Sequence, residues 1–551
     1  MLHDHEKSVI SSAITKLGSR KGFRATAETR WQKIAKVLDP ADNWFFNTQV
    51  TEGMGMNQYK ITASPQTAAQ RCASAIISLI APESQPWHGL DTFDLSFMDN
   101  PDNREYLQKA SKLLHRYRYA ANTSFNNELY GAIYFAAVYG TGVLYTSENL
   151  ETQNVNYRNT HIREHYFQPN TSGIIDDNIR EFKMYPEELM QRYYNPEDPN
   201  RIPAIVRAAA ENGVASQFDV MHCVHVNPVY NPFDPMSKRF ISYDILESTQ
   251  TLLRVGGYNT FPFHVFMMYK NPLEVYGRGF GDLTYEEIMT ANQIRAQDLF
   301  AKEMASAPPT LMMDAARRDI PIFMPRTVMP GGLDEQGNPR YKPYINSPYP
   351  NIATDALMQS IGVIQEGFML NLFSVLSDAR EMTLGEVELR QREKLMQAAP
   401  LLQGLQMNNG LASIVLREFD IHNSFGHFGP VENVPSDLLV DGRIEVRFEA
   451  PMNQIQRSVE VEKTMRYIQS LAVLQPVLPE IMDYLNEESI VDELTQGFGV
   501  ETKLVRSPEE VEAIRAARRQ QEQVGMAMGA AESLSKTQLN LSRANRDDRT
   551  I

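Results

Sequence analysis

The hydrophobic pattern of this chain changes at one short stretch, Tyr276-Gly277-Arg278-Gly279-Phe280-Gly281-Asp282. Before it, between 143 and 270, short apolar runs alternate with polar residues and end at Asn-Pro and Asp-Pro turns, which predicts a β-rich or mixed region. After it the apolar spacing is helical to about Ala305, and Pro308-Pro309 ends the run. Three glycines therefore separate a sheet-forming region from a long helix.

Outward from this stretch, the sequence predicts two helical rods with a β segment between them. Thr284 and Glu287 match the Ser/Thr-x-x-Glu capping box that opens a helix, and a rod of about 22 residues is roughly 33 Å long. Residues 307 to 350 are rich in proline, so we expect a compact β excursion there. The second rod, from about Thr354 to Phe373, carries an apolar stripe.

A polar break, Ser374 to Met382, follows the second rod. Thr383 and Glu386 then form a further capping box. They predict a long helix toward Asp420 that is interrupted only by Pro400, where a kink is expected.

Helical spacing is also present in 8 to 38, in 64 to 80 and from about Asn103 to Val138. In the second of these, Ser64 before Pro65 predicts a cap followed by proline in the first turn. Toward the end of the chain, Ile444 to Phe448 alternate as a returning strand does, and 454 to 495 are helical again. The segment from Ser507 is predicted to be one exposed helix with a frayed end.

Composition excludes several classes of protein. The 551 residues include 42% hydrophobic and 22% charged residues, which excludes disorder, and no apolar run is long enough to span a membrane. The net charge of −15 speaks against a nucleic-acid binder that works through a basic patch. The first ten residues lack a secretory signal, so we expect assembly in a cytoplasm. Two cysteines allow neither a disulfide framework nor a four-thiolate zinc site.

The start of the chain departs from this acidic average. Residues 1 to 38 contain eight basic and three acidic residues. Two interpretations remain open: a solvated helix face, or an anchor on an acidic partner.

One motif suggests a zinc hydrolase. His161-Ile162-Arg163-Glu164-His165 matches H-x-x-E-H, in which a helix must place both histidines on one face with the glutamate as base. The flanking residues instead favour a strand, on which His161 and His165 would lie about 13 Å apart. We therefore expect no metal site there and keep the hydrolase only as a distant alternative.

The remaining motifs also favour structural roles. His222, Cys223 and His225 alternate along a predicted strand, so the two histidines point to opposite faces. The glycines at 277, 279 and 281 have the spacing G-x-G-x-G, which is not that of a phosphate-binding loop. With no nucleotide motif and no G-x-S-x-G, the sequence predicts neither an enzyme nor a cofactor.

The order of elements resembles the portal, or head-to-tail connector, proteins of short-tailed double-stranded DNA phages. Between about 60 and 425, the resemblance is carried by Val138-Tyr139-Gly140-Thr141-Gly142-Val143-Leu144, Glu274-Val275-Tyr276-Gly277-Arg278-Gly279 with Leu283, Ile288 and Asn292, Ala307-Pro308-Pro309-Thr310-Leu311, and Met382-Thr383-Leu384-Gly385-Glu386-Val387 with Arg390-Gln391, Glu393-Lys394, Pro400-Leu401 and Leu405.

The resemblance implies an α+β portal fold, mostly helical, that assembles as a ring around a central channel. Its regions would be an N-terminal wing (1–275), a first stem helix (276–306), a clip (307–350), a second stem helix (351–373), a tunnel loop (374–382), a long kinked wing helix with a returning strand (383–458), crown helices (459–506) and an exposed tail (507–551).

The resemblance also implies functional residues in three regions. Stem packing is expected from Ile288, Leu299, Leu357, Ile361, Ile364 and Phe368. The DNA channel would be lined by the tunnel-loop residues Ser377, Asp378, Ala379, Arg380 and Glu381. Docking of terminase and then tail at the clip is expected from Arg317, Arg318, Asp334, Glu335, Arg340 and Lys342.

The implied assembly is a ring of about twelve subunits at the capsid vertex of a virion. Double-stranded DNA would pass through it during packaging and ejection, and the other partners would be the capsid and scaffolding proteins, the terminase large subunit and tail adaptor proteins. Twelve copies would carry a formal charge of about −180, which repels phosphate and lets a duplex slide.

The sequence leaves two questions open, the role of Arg380 and the choice between a portal and another ring-forming protein. Arg380 fits a transient phosphate contact as well as it fits an ion pair with Glu381 or Glu386 of a neighbouring subunit. The nearer alternative to a portal is another ring-forming virion protein such as a tail adaptor, which would not need two rods around a β tip.

Overall fold

The computed structural model describes residues 2–39, 62–92, 101–214, 216–231, 234, 236–306, 310–312, 335–338, 341–343, 352–370, 396–407, 409–429 and 444–474, with short pieces at 485–486, 489–491, 494, 506, 510–521 and 536. The chain divides into two compact units, Met1–Ala450 and Pro451–Ile551. Within the described residues of the second unit, 451–474 and 510–521 are helical.

Helices and strands both contribute, so the expected mixture of the two is confirmed. The helices are α1 (Leu2–Leu38), α2 (Ser64–Ile80), α3 (Pro101–Arg118), α4 (Phe125–Tyr139), α5 (Pro186–Tyr193), α6 (Ala204–Glu211), α7 (Phe280–Ser306), α8 (Ile352–Gly367), α9 (396–406), α10 (Leu411–Ser424) and α11 (Pro451–Leu474). The strands are β1 (His88–Thr92), β2 (Thr141–Asn149), β3 (Asn154–Thr160), β4 (His165–Pro169), β5 (Ile175–Met184), β6 (Phe218–Val226), β7 (Phe240–Leu246), β8 (Thr251–Tyr258), β9 (Phe263–Met267), β10 (Thr310–Met312), β11 (Tyr341–Pro343) and β12 (Ile444–Phe448).

The largest sheet is antiparallel, with five strands in the order β4-β5-β6-β7-β8. Helix α1 covers one of its faces, because Ile10, Ala13 and Leu17 recur at helical spacing and pack into the cluster that contains Met221 and Ile245. A second sheet has the order β3-β2-β9. Helix α4 packs on β2 and β3.

Backbone contact between two glycine-containing segments joins the sheets to the rods. Helix α4 ends at Gly140, whose φ of 89° is the left-handed conformation that glycine adopts most easily. The stretch 277–281 lies directly against this helix end. A β-carbon at Gly279 would lie 2.6 Å from the Gly140 nitrogen and 2.7 Å from the Ala137 carbonyl oxygen. Larger residues at 279 therefore cannot fit without moving backbone.

Helix α1 reaches the same junction. The Trp31 indole Nε1–H donates to the Tyr139 carbonyl oxygen at 3.0 Å, and Arg30 donates to the Gly277 carbonyl oxygen at 3.1 Å. Three segments that are far apart in sequence thus meet at the end of α4.

The two predicted rods pack along each other as α7 and α8. Between them, β10 pairs with β11 in an antiparallel ribbon, with Thr310 opposite Pro343 and Met312 opposite Tyr341. In its described residues, the segment 307–350 therefore begins and ends as β structure, as expected. Residues 313–334 of this segment lie outside the described residues.

Two of the predicted helix starts are wrong. Helix α7 begins at Phe280, and Thr284 lies inside it, where its hydroxyl donates to the Phe280 carbonyl oxygen. Asp282 marks the true start, because its carboxylate accepts the Gly279 amide. In α2 the cap residue is Ala63, and Ser64 is already helical. Sequence spacing alone does not separate a cap from a hydroxyl that bonds back within a helix.

The helix expected from Asn103 to Val138 is two helices, α3 and α4. The Thr123 hydroxyl donates to the Arg118 and Ala120 carbonyl oxygens, and such side-chain bonds compete with the helical pattern. Further along, α9 continues through Pro400 to 406, and a separate helix, α10, begins after Gly410. The prediction that Pro400 is the one interruption of this helix is therefore wrong.

Substitution of Gly279 by alanine should destabilise the first unit by about 2 kcal/mol or more, because the new methyl group meets backbone rather than a movable side chain. The matched control is Gly18→Ala in α1, where a β-carbon meets nothing within 4 Å. That change should stabilise by up to about 1 kcal/mol through helix propensity. Thermal unfolding of both variants measures the difference, and equal midpoints would contradict the packing role of Gly279.

Candidate functional site

The stem residues proposed from the sequence occupy three environments. Ile288 in α7, and Ile364 and Phe368 in and just after α8, are fully buried. The Phe368 ring lies 5.9 Å from the Phe280 ring, measured between centroids. Leu357 and Ile361 are half-buried. Leu299 is 46% exposed.

Several large apolar side chains of the two rods are exposed in a single chain, among exposed polar residues. They include Leu283 and Phe300 of α7, at 64% and 63%, and Met358 of α8, at 67%. Exposed side chains of this size on a pair of helices are candidates for contact with another subunit.

The clip and tunnel-loop residues are mostly outside the described residues. Lys342 lies in β11, and Glu335 is exposed in the turn 335–338. Outside the described residues lie Arg317, Arg318, Asp334, Arg340 and the whole set Ser377, Asp378, Ala379, Arg380 and Glu381.

The H-x-x-E-H segment is neither the helix of a zinc protease nor the predicted strand. His161 precedes a single 3-10 turn, Ile162–Glu164, and His165 begins β4. Both ring nitrogens of the buried His165 are bonded: the Asn178 amide donates to Nδ1 at 3.0 Å, and Nε2 lies 2.8 Å from the Thr160 hydroxyl. The Glu164 carboxylate accepts from Arg180 at 2.7 Å. These bonds join β4, β5 and the 3-10 turn, and they already engage both His165 ring nitrogens and the Glu164 carboxylate.

The cluster around Cys223 lies on β6, as predicted. The His222 side chain contacts Phe263, and the Cys223 and His225 side chains line a small cavity under α1. Burial raises the pKa of the Cys223 thiol to about 12, so it is a thiol at neutral pH. Among the described residues, no three His, Cys, Asp or Glu side chains are close enough to hold a metal ion.

The backbone amides of Gly277 and Gly279 already have hydrogen-bond partners within the chain, so they are not available to a phosphate group. The Gly277 amide donates to the Thr141 hydroxyl at 2.9 Å, and the Gly279 amide donates to Asp282 at 2.9 Å. The role of this glycine stretch is packing, in agreement with the spacing argument.

The basic start of the chain is divided between two faces of α1. Arg20, Arg24 and Arg30 point inward: Arg20 pairs with Asp177 at 2.9 Å, and Arg30 pairs with Asp282 at 3.0 Å. Several of the basic residues of α1 therefore bind the helix to the sheet and to the glycine stretch at 277–281. No helix in the described residues is long and apolar enough to cross a membrane.

Sequence reasoning missed the most deeply buried ion pair, Arg118 with Glu418. The single Nε–H of the guanidinium is shared between the two Glu418 carboxylate oxygens, at 2.9 and 3.1 Å, and Nη2 also donates to the carboxylate. Both side chains are at most 1% exposed. The Tyr157 hydroxyl also donates to Glu418 at 2.6 Å, and the Trp87 ring lies 4.4 Å from the guanidinium carbon. This cluster ties α3, β3 and α10 together across 300 residues of sequence.

Replacing Glu418 by glutamine should destabilise the first unit by about 3–5 kcal/mol, because it leaves the Arg118 charge buried without a counter-ion. The matched control is Glu449→Gln, which removes the partner of the half-exposed Arg447 and should cost less than about 1 kcal/mol. Urea unfolding of the two variants provides the comparison. A small loss for Glu418→Gln would mean that water reaches this cluster.

Acidification should destabilise the protein through histidines that are buried without charge. Burial, aided by Arg417, lowers the pKa of His264 to about 3, and burial lowers that of His222 to about 4. Below pH 6.5 the unfolded chain binds protons at these rings and the folded chain does not, so the free energy of unfolding falls until the pH reaches the folded pKa. Each ring should contribute about 1 kcal/mol between pH 6.5 and 5.5.

Thermal midpoints measured from pH 7.5 to 5.0 test this, with His264→Gln as the variant. The variant should show a shallower dependence on pH than the unsubstituted chain, whatever its absolute stability. An unchanged slope would show that His264 takes up its proton in the folded state.

The chain matches a protein-family model described as bacteriophage head to tail connecting protein over residues 11–505. A relative named "Probable portal protein", from Bordetella phage BPP-1, is 18% identical over 524 residues, which cover 93% of this chain and 91% of the relative.

Solved structures with some likeness come from gene transfer agent particles. A chain from "Virion of native gene transfer agent (GTA) particle" is 12% identical with a TM-score of 0.33, and one from "Neck of empty GTA particle computed with C6 symmetry" is 11% identical with a TM-score of 0.32. Each alignment covers 78% of this chain and 88% of the other. At these TM-scores the likeness carries no argument.

Proposed function

We infer the function from the family. The chain belongs to the bacteriophage head-to-tail connecting proteins, because the model of that family matches it over residues 11–505. It is therefore a portal, or connector, protein of a virion. Proteins of this kind are structural and assemble as rings. The family match is the observation that carries this conclusion.

We propose further that twelve copies form the ring at the capsid vertex. Double-stranded DNA enters and leaves through it, and terminase and then tail adaptors dock on the β10–β11 end. Helices α7 and α8 form a pair of rods with the β10–β11 ribbon between them. This arrangement supports a portal over a tail adaptor, because an adaptor would not need two rods around a β tip. The uncovered apolar residues of the rods, such as Phe300 and Met358, support packing between neighbouring subunits.

The partners and place of assembly belong to the same proposal. The ring would form with capsid and scaffolding proteins in the host cytoplasm and remain in the virion. The charge of −15 per chain supports a channel that repels phosphate and does not retain the duplex.

Light scattering and electron microscopy of the purified protein test the proposed assembly. Twelve chains of 62.7 kDa give about 750 kDa by light scattering, and class averages should show a ring with a central hole. A monodisperse monomer at micromolar concentration would contradict the proposal.

The segment 377–381 is tested separately for a role in the channel. Replacing it with a short Gly/Ser link should leave ring mass and thermal midpoint nearly unchanged and reduce the DNA retained in particles. The control is the same kind of replacement at Glu151–Gln153, an exposed turn between β2 and β3, which should change neither. Normal packaging by the 377–381 variant would contradict the tunnel-loop assignment, and loss of the ring would identify a subunit contact.

A further inference from the structure

A cleft of about 470 Å³ opens between α1 and the loop that leads into the glycine stretch. Its lining combines apolar and cationic side chains, among them Phe23, Phe167, Leu273, Arg24, Arg30 and Arg278. Phe23 is 84% exposed and Leu273 is 94% exposed. Side chains of this size next to a recess favour an apolar occupant.

The cleft is held in shape before anything binds. The Leu273 amide donates to the Asn271 side chain at 3.2 Å, and the Glu274 amide donates to the Asn271 carbonyl oxygen at 3.0 Å. Arg278 binds Glu274 through Nε and one terminal nitrogen. The Arg278 side chain is half exposed, so its guanidinium can also donate to a carboxylate of another subunit.

The chain itself carries an exposed segment with the complementary chemistry, the loop between β6 and β7. Val229 and Met236 are 82% and 86% exposed, and the exposed Asp234 lies between them in sequence. Apolar side chains that flank a carboxylate match a recess that presents Phe23, Leu273 and Arg278.

In its described residues, this loop is held at its base by hydrogen bonds. The backbone N–H of Asn227 donates to the Arg239 carbonyl oxygen at 2.8 Å. The side-chain amide of Asn227 donates to the Lys238 carbonyl oxygen at 2.9 Å. The Asp234 carboxylate accepts the Met236 amide at 2.9 Å. The base of the loop is therefore held before any contact forms, so that part loses little conformational entropy when it is buried.

Within one chain the loop and the cleft are on different parts of the five-stranded sheet. The cleft lies beside the edge strand β4, whereas the loop leaves from β6 and β7, and β6 is about 10 Å across the sheet from β4. A closed ring needs two different, complementary surfaces on each subunit, and a recess and a projection at different positions on one sheet meet that need.

We propose that this cleft receives the β6–β7 loop of a second copy of the chain, with Met236 and Val229 between Phe23 and Leu273 and the Asp234 carboxylate beside Arg278. The inference rests on the proposed ring and names one contact by which it closes.

Cysteine cross-linking tests the contact. The native Cys72 and Cys223 are buried, so cysteines introduced by Leu273→Cys and Met236→Cys react selectively with a short bis-maleimide. Rings of the double variant should give a ladder of covalent multimers on a denaturing gel, and a mixture of the two single variants should stop at dimers. The control pairs Leu273→Cys with Leu150→Cys, which is also exposed but lies on the β2–β3 turn, and it should give no ladder.

The outcomes separate this contact from the ring itself. Rings of normal mass that give no ladder would overturn the contact and leave the portal function standing. A Leu273→Cys thiol that reacts with maleimide in purified rings and is protected only in complete virions would assign the cleft to a different virion protein, which also overturns it. An unsubstituted chain that forms no ring would overturn the proposed function and this inference together.

A second variant measures how much the contact contributes. Met236→Lys should raise the protein concentration at which rings dissociate by about tenfold or more, because it places a cation beside the arginines and apolar side chains of the recess. Leu150→Lys should leave that concentration unchanged. Equal behaviour of the two variants would contradict the proposal.

Discussion

Direct backbone contact at the glycine junction is the constraint on which the rest of the first unit depends. Gly277, Gly279 and Gly281 lie against the C-terminal end of α4, where added β-carbons would overlap main-chain atoms. Since no side chain intervenes, the spacing between the sheets and α7 is set by the van der Waals radii of the backbone. The bonds from Trp31 to the Tyr139 carbonyl oxygen and from Arg30 to the Gly277 carbonyl oxygen then fix α1, and α1 in turn covers the larger sheet.

The protein places charge inside its first unit in a consistent way. Arg118, Arg417 and Glu418 are all nearly inaccessible, yet each has an oppositely charged partner within hydrogen-bonding distance. Removing such a pair as a whole can cost little, but separating it is expensive. These contacts therefore specify which helix meets which strand, and the apolar clusters supply most of the stabilisation.

Much of this architecture could be predicted from local pattern, and the failures have a common cause. The change of period at 276, the two rods and the strands between 143 and 270 follow from spacing, because burial of one face dictates where apolar residues recur. The pairing of Arg118 with Glu418 could not be predicted, since its partners are 300 residues apart and neither lies in a motif. The true start of α7 and the 3-10 turn at Ile162–Glu164 depend on single hydrogen bonds that spacing does not encode. The packing partner of the glycines could not be predicted either, because Gly140 and Ala137 lie about 140 residues before them in the sequence.

Helix α7 runs without interruption for 27 residues, from the glycine junction to the β10–β11 ribbon. At 1.5 Å per residue this is a lever of about 40 Å. Its base contacts the end of α4 through backbone atoms, which have no rotamers through which to yield. Because α8 packs along it, a load applied at the ribbon would pass through two parallel rods before it reaches the α4–α7 contact. In mechanical terms the rod pair is a stiff arm whose base is a backbone hinge with very little play.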